Sequence, residues 1–184
     1  MLLCPAHVGH PRLRLMSQKT WMAGRAFMPG HDGKETSVKM RSFHYRALFE
    51  AGDRRGNVVV TFPDVPEVVT QGRSQADVRA MAEEALGFVL LSYLQRSKPL
   101  PKSRAKGRTL VDITVSPDVA AKLAVLEAFA AAGISKSELA RRIGKDEKEV
   151  RRILDPKHPT KLPALIAALR ALGKRLVVGV AEAA

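Results

Sequence analysis

Hydrophobic and polar residues first fall into a regular pattern at Phe43. Phe43, Tyr45, Ala47 and Phe49 alternate with His44, Arg46 and Leu48, the two-residue period of a half-buried strand. Val58, Val60 and Phe62, set against Val59 and Thr61, predict a second β-branched strand. The turn residues from Ala51 to Asn57 between the two predict a hairpin. Pro63 ends the second strand, because proline has no N–H for the ladder and a fixed φ. The connection Pro63-Asp64-Val65-Pro66 leads to a third strand, Val68 to Gln71. A fourth is predicted from Leu110 to Val115, where Val111, Ile113 and Val115 alternate with Asp112 and Thr114.

Between the third and fourth strands the period changes to three and four. Ser74 stands as an N-cap with Asp77 three residues on, and good helix formers continue to Pro99, which predicts a helix over Gln75 to Arg96. Val78, Met81, Ala82, Ala85 and Val89 form the stripe expected to lie on the sheet. From Leu86 to Leu94 the helix is apolar on all sides, so it needs cover on more than one face. Gly87, which costs about 1 kcal/mol against alanine inside a helix, fits a close backbone approach as well as simple drift. Ser97 to Thr109 then holds two prolines, five basic residues and no acid, and reads as an exposed connection that could track a phosphate backbone or simply be solvated.

After Val115 the chain reads almost wholly as helices. Ser116-Pro117 is a start signal for a helix whose Val119, Leu123, Leu126 and Phe129 run down one face to Gly133. Ser135 with Glu138 caps a short helix, Lys136 to Ile143, that stops at Gly144. Asp146 with Glu149 caps the next, which ends near Leu154. Leu139 and Ala140 point inward from the first and Val150 and Ile153 from the second, the arrangement of a helix-turn-helix. Thr160 is expected to cap a last helix bearing Leu162, Leu165, Ile166, Leu169 and Leu172. Leu176, Val177, Val178 and Val180 predict a terminal strand, which must pair with the sheet or with a second copy to satisfy its backbone.

The expected fold class is therefore α+β: a small antiparallel sheet with a packed helix, followed by an all-α helix-turn-helix region with a terminal strand. The expected division is 1–39, an extension with no packed structure; 40–115, the α+β domain; and 116–184, the helical domain. Residues 1–39 lack sustained periodicity, and Met40 would serve as a start residue, so an upstream start assignment leads over a functional basic arm.

Composition narrows the function. With 46% hydrophobic and 27% charged residues in 184, the chain is globular rather than disordered. Its net charge of +13 argues for a polyanionic partner such as nucleic acid. That charge is spread along the chain: residues 1–39 carry 6 basic and 2 acidic, 40–109 carry 12 and 7, and 110–184 carry 13 and 9. A single cysteine, Cys4, excludes an intrachain disulfide and fits a reducing, cytoplasmic setting. The five histidines show no ligand spacing, so no metal and no cofactor is expected. No stretch is long enough to cross a membrane.

If the helical pair is a helix-turn-helix, its second helix enters the major groove and presents Asp146, Glu147, Lys148, Arg151, Arg152 and Asp155. Arg151 and Arg152 can reach guanines or phosphates, and Lys145 and Lys148 flank them. Asp146, Glu147 and Glu149 favour the positive end of the helix but repel phosphate.

Residues 43–115, with VVVTFPDVPEVVTQG followed by SQADVRAMAEEAL, resemble the HicB family of antitoxins. Residues 116–180, notably LARRIGKDEKEVRRILDPKHPTKLPALIAALRALGKRL, look like the Xre-type helix-turn-helix attached to many of its members. This chain departs from the family pattern at Glu67-Val68, where members commonly have Gly-Cys, and at Lys145, where an apolar residue is usual. The resemblance implies a partial RNase-H-like domain that binds and masks a HicA-type mRNA-cleaving toxin. It also implies a second domain that binds operator DNA and represses the chain's own operon, as a homodimer or higher even oligomer. A basic toxin would then be met by the sheet edge, by apolar contacts including Phe62, and by Asp64 and Glu67. Asp64 is equally a good turn residue.

Two other readings compete. One is a transcriptional regulator with a small-molecule sensing domain and no toxin. The other is an RNase-H-like nuclease, which needs several carboxylates converging on two metal ions. Glu50, Asp53, Asp64, Glu67, Asp77, Glu83 and Glu84 fall instead mostly in turns and on an exposed helix face, and no catalytic residue is expected.

Overall fold

A computed structural model describes residues 40–53 and 56–179. The expectation for residues 1–39 lies outside the described residues. The elements, in order, are β1 (His44–Ala51), β2 (Val58–Thr61), β3 (Val69–Gly72), α1 (Gln75–Gln95), β4 (Leu110–Thr114), α2 (Pro117–Ala132), α3 (Lys136–Ile143), α4 (Glu147–Leu154) and α5 (Leu162–Ala171). The fold is α+β, and the sheet is antiparallel with strand order β3-β2-β1-β4. The meander forms because Pro63 stops β2 and the hairpin register pairs Ala51 with Val58 and Leu48 with Thr61.

Alternation decides which face is buried. Phe43, Tyr45, Ala47, Val60, Phe62 and Ile113 point to one side and meet Val78, Ala82, Leu86 and Leu90 of α1. Ser74 starts α1 as read from the sequence, its hydroxyl accepting from the Asp77 N–H at 3.1 Å. Gly72 has a tight fit here, since a Cβ on it would stand 3.0 Å from that of Val78.

The second half of α1 does gain cover on another side, from α2. A Cβ on Gly87 would lie 3.2 Å from Val119 Cγ1, so the close approach is the reason for glycine at this position. Cover is incomplete, however. Met81 is 46% and Phe88 71% exposed, against the expectation that Met81 lies on the sheet and that the apolar end is wrapped. Both residues sit on the side of α1 turned away from both the sheet and α2.

Helix α2 serves more than one cluster. Leu123 joins the sheet core, with Val119, Ala120 and Ala124 against it. Ala121, Val125 and Ala128 pack instead with Ile153, Leu165, Ala168 and Leu169. A third cluster, Leu139, Ala140 and Val150, holds α3 against α4. Ser135 and Asp146 cap these helices, accepting from the N–H of Glu138 at 3.0 Å and of Glu149 at 2.6 Å. Gly144 ends α3 at φ 66°, a left-handed conformation that only glycine adopts cheaply.

Two expectations fail. Thr160 does not cap α5; Lys161 occupies that position, with no side-chain cap bond, and the Thr160 hydroxyl is engaged elsewhere. Residues 176–179 pair with no strand of the sheet, so of the two partners expected for a terminal strand only a second copy remains. Leu176 packs on the α2–α5 cluster, while Val177 and Val178 are 57% and 66% exposed. Val180 lies outside the described residues.

Candidate functional site

Helix α4 brings together most of the residues expected to read DNA. Val150 and Ile153 are buried beneath it, which turns Lys148, Arg151 and Arg152 outward. The outward cations differ in what they already touch. The Arg151 guanidinium is paired one turn back with the Glu147 carboxylate, donating from Nε at 3.1 Å. Lys145 Nζ lies 3.4 Å from Glu149 Oε1. On α3, Arg141 and Arg142 both bind Glu138. Lys148 and Arg152 have no ion-pair partner among the described residues.

Glu147 is held more firmly than a surface acid usually is. The Ser137 hydroxyl donates to it at 2.6 Å, and this bond, followed by Arg151, keeps its carboxyl below the usual range. It therefore carries its charge at neutral pH and ties the start of α4 to α3. The entry of α4 is thus negative and its last turn, with Arg152, positive.

The position of α4 depends on a residue that sequence reasoning missed. Lys122 of α2 is 5% exposed and is the buried charged residue among those described. Its Nζ donates to the Arg152 carbonyl at 3.3 Å, the His158 carbonyl at 3.2 Å and the Thr160 hydroxyl at 2.8 Å. One cation thereby fastens the end of α4 and the link from α4 to α5 onto α2, where the carbonyls and the negative helix end favour positive charge. Burial pushes its pKa down to about 8, opposed by Asp155. A lysine at 122 interrupts the apolar stripe of Val119, Leu123 and Leu126, and that interruption was the available signal.

The residues expected to meet a toxin are not gathered in one place. Phe62 is 1% exposed and belongs to the sheet core, so its ring offers nothing to a partner. Asp64 Oδ2 accepts from the backbone N–H groups of Arg104 and Ala105, each at 2.8 Å, and holds down the 97–109 connection. Glu67 is exposed, and the Tyr93 hydroxyl donates to it at 2.6 Å. That bond lowers the Glu67 carboxyl pKa and raises that of the Tyr93 phenol. Glu67, Tyr93, Phe88, Ser92, Arg96 and Lys98 line a shallow groove at the end of α1. Phe88 is exposed against expectation; it shares with Met81, two turns earlier, the uncovered side of α1, and the apolar run around it hides this in the sequence. Among the described residues no group of three or more His, Cys, Asp or Glu is placed to hold a metal ion. No helix there is long and apolar enough to cross a membrane.

No family model matches the chain. Curated relatives do. It is 35% identical over 136 residues to antitoxin HicB 2 of Photorhabdus laumondii, an alignment covering 74% of this chain and 95% of that protein. It is 37% identical over 123 residues to antitoxin HicB of Escherichia coli K12, covering 66% and 88%. Antitoxin HicB of Pseudomonas fluorescens matches at 27% over 143 residues, covering 77% and 98%.

Proposed function

Because the chain belongs to the HicB antitoxin family, we propose that it neutralises a HicA-type mRNA-cleaving toxin with residues 40–115 and represses its own operon by binding operator DNA through residues 116–184. The observation that carries the antitoxin reading is the similarity to curated HicB antitoxins over nearly the whole length of those relatives. The end of α1 supports a place for the toxin. Phe88 is 71% exposed beside Glu67, whose lowered pKa keeps it charged, and an apolar ring flanked by a fixed carboxylate suits a small basic protein. Val69, 62% exposed on the edge strand β3, extends the apolar surface available to a partner.

For operator binding, α3 and α4 act as the helix-turn-helix and α4 is the reading helix. Its free cations, Lys148 and Arg152, make the first contacts, while Lys145 and Arg151 exchange Glu149 and Glu147 for phosphate or base. Palindromic operators are read by paired copies, and the exposed Val177 and Val178 give the chain ends an apolar surface through which two copies associate. The protein acts as a binding protein without catalysis of its own, in the cytoplasm.

The test is co-expression with the neighbouring small basic reading frame. Growth arrest by that protein is relieved by this chain, and Phe88→Asp removes the relief while leaving the melting temperature within a few degrees, as expected for an exposed position. Arrest relieved equally by the variant moves the toxin surface off α1, and absence of any relief overturns the toxin partnership.

A further inference from the structure

The 97–109 connection is basic and also pinned. Leu100 is buried in the sheet core at 9% exposure. The Tyr45 hydroxyl donates to the Pro101 carbonyl at 2.7 Å. Asp64 accepts both the Arg104 and the Ala105 N–H at 2.8 Å. Arg46 Nη1 donates to the Gly107 carbonyl at 3.3 Å. A connection that served only to cover distance needs no such set of anchors, because loops of this length are cheap to leave loose.

What the anchors hold in place is a run of cations at every second position: Lys102, Arg104, Lys106 and Arg108. Small residues, Ser103, Ala105 and Gly107, stand between them. All four basic residues are exposed. None has an ion-pair partner among the described residues, whereas the pairs found there engage Arg41, Arg46, Arg79, Arg141, Arg142, Lys145 and Arg151. The anchors use backbone groups of the connection, so they leave its charged side chains free. Four like charges fixed close together repel one another, and the arrangement gains only when a polyanion neutralises them. Because the path is already fixed, a polyanion that binds there orders little additional backbone.

We propose that Lys102, Arg104, Lys106 and Arg108 form a second nucleic-acid contact, separate from α4, that grips a phosphodiester backbone without reading its sequence. The ligand chemistry is a chain of regularly spaced phosphates, supplied by duplex DNA or by RNA. This site does not rest on the helix-turn-helix reading, because its cations and anchors all lie outside α3 and α4.

The experiment measures binding of the full chain to a fluorescent duplex of arbitrary sequence and, separately, to a single-stranded RNA, by anisotropy over a series of salt concentrations. Replacing the four residues by alanine is expected to weaken binding by at least about tenfold at low salt. It should also flatten the dependence of log affinity on log salt by about 3 to 4 on duplex DNA, near 0.9 for each lost phosphate contact. A second variant, Arg104→Lys with Arg108→Lys, keeps the charge and should bind as the unaltered chain does. Loss on DNA alone, on RNA alone or on both identifies the source of the phosphates. Unchanged affinity and slope on both ligands overturns the proposal, as does a loss equally large in the charge-preserving variant. Arg151→Ala with Arg152→Ala, measured alongside, reports on α4 and leaves the loop contribution unchanged.

Discussion

The Lys122 ammonium donates to the Thr160 hydroxyl at 2.8 Å, from a residue in the middle of α2 to one just before α5. Through its other two bonds, to the carbonyls of Arg152 and His158, the same nitrogen closes the far end of α4. A charge at this position is costly to bury and is kept there by its acceptors.

Its burial gives a pH dependence of known sign. The Lys122 pKa is about 8 in the folded chain and 10.5 for an unperturbed lysine, so between these values the unfolded chain binds more protons. Stability therefore rises as pH increases through this window, because the cost of burying the charged form disappears. Asp155 lies close enough to favour the charge, and Arg152, Lys157, His158 and Asp118 surround it. Thermal unfolding from pH 7.5 to 10 should show a rising melting temperature, and the rise should be lost in Lys122→Met. An identical rise in that variant assigns it to another group.

The arginines of α4 should differ in their contribution to operator affinity. Arg152→Ala removes a cation with no ion-pair partner among the described residues and is expected to cost about 1–3 kcal/mol of binding. Arg151→Ala should cost less, because Arg151 must first leave Glu147. Glu147→Gln should strengthen binding by freeing Arg151 and removing a negative charge that faces phosphate. Titration of operator DNA by the three variants checks the order, and equal losses at 151 and 152 show that the Glu147 pair does not matter.

Asp64 should be needed for the shape of the basic connection. Asp64→Ala leaves the Arg104 and Ala105 N–H groups without their acceptor, and trypsin should then cleave after Lys102, Arg104, Lys106 and Arg108 faster than in the unaltered chain. Limited proteolysis followed by mass spectrometry gives the rate at each site, and unaltered rates show that the other anchors suffice.

The sequence is legible where a local rule is decisive. Two-residue alternation locates β1, β2 and β4, the proline connection after β2 locates β3, and the Ser74, Ser135 and Asp146 caps sit where the i to i+3 spacing puts them. It is illegible where two distant segments meet. Asp64 reads as a turn residue, since its partners lie forty residues further on and are backbone groups that any sequence supplies. Lys122 reads as one lysine among many until α4 and the link to α5 close over it. Phe88 and Met81 read as core because apolar periodicity cannot tell which side of a helix a later helix will cover. Phe62, by contrast, follows the strand alternation, which itself implies burial in the sheet core; only the family resemblance makes it a partner contact.

Helix α2 sets Leu123 into the sheet core and, two residues either side, Ala121 and Val125 into the cluster with α4 and α5. A break in the polypeptide before Pro117 would strip the sheet of part of its own lining. Recombination that swaps one C-terminal half for another must then carry this helix along or rebuild its sheet-facing side, and the two halves are expected to melt together rather than in turn.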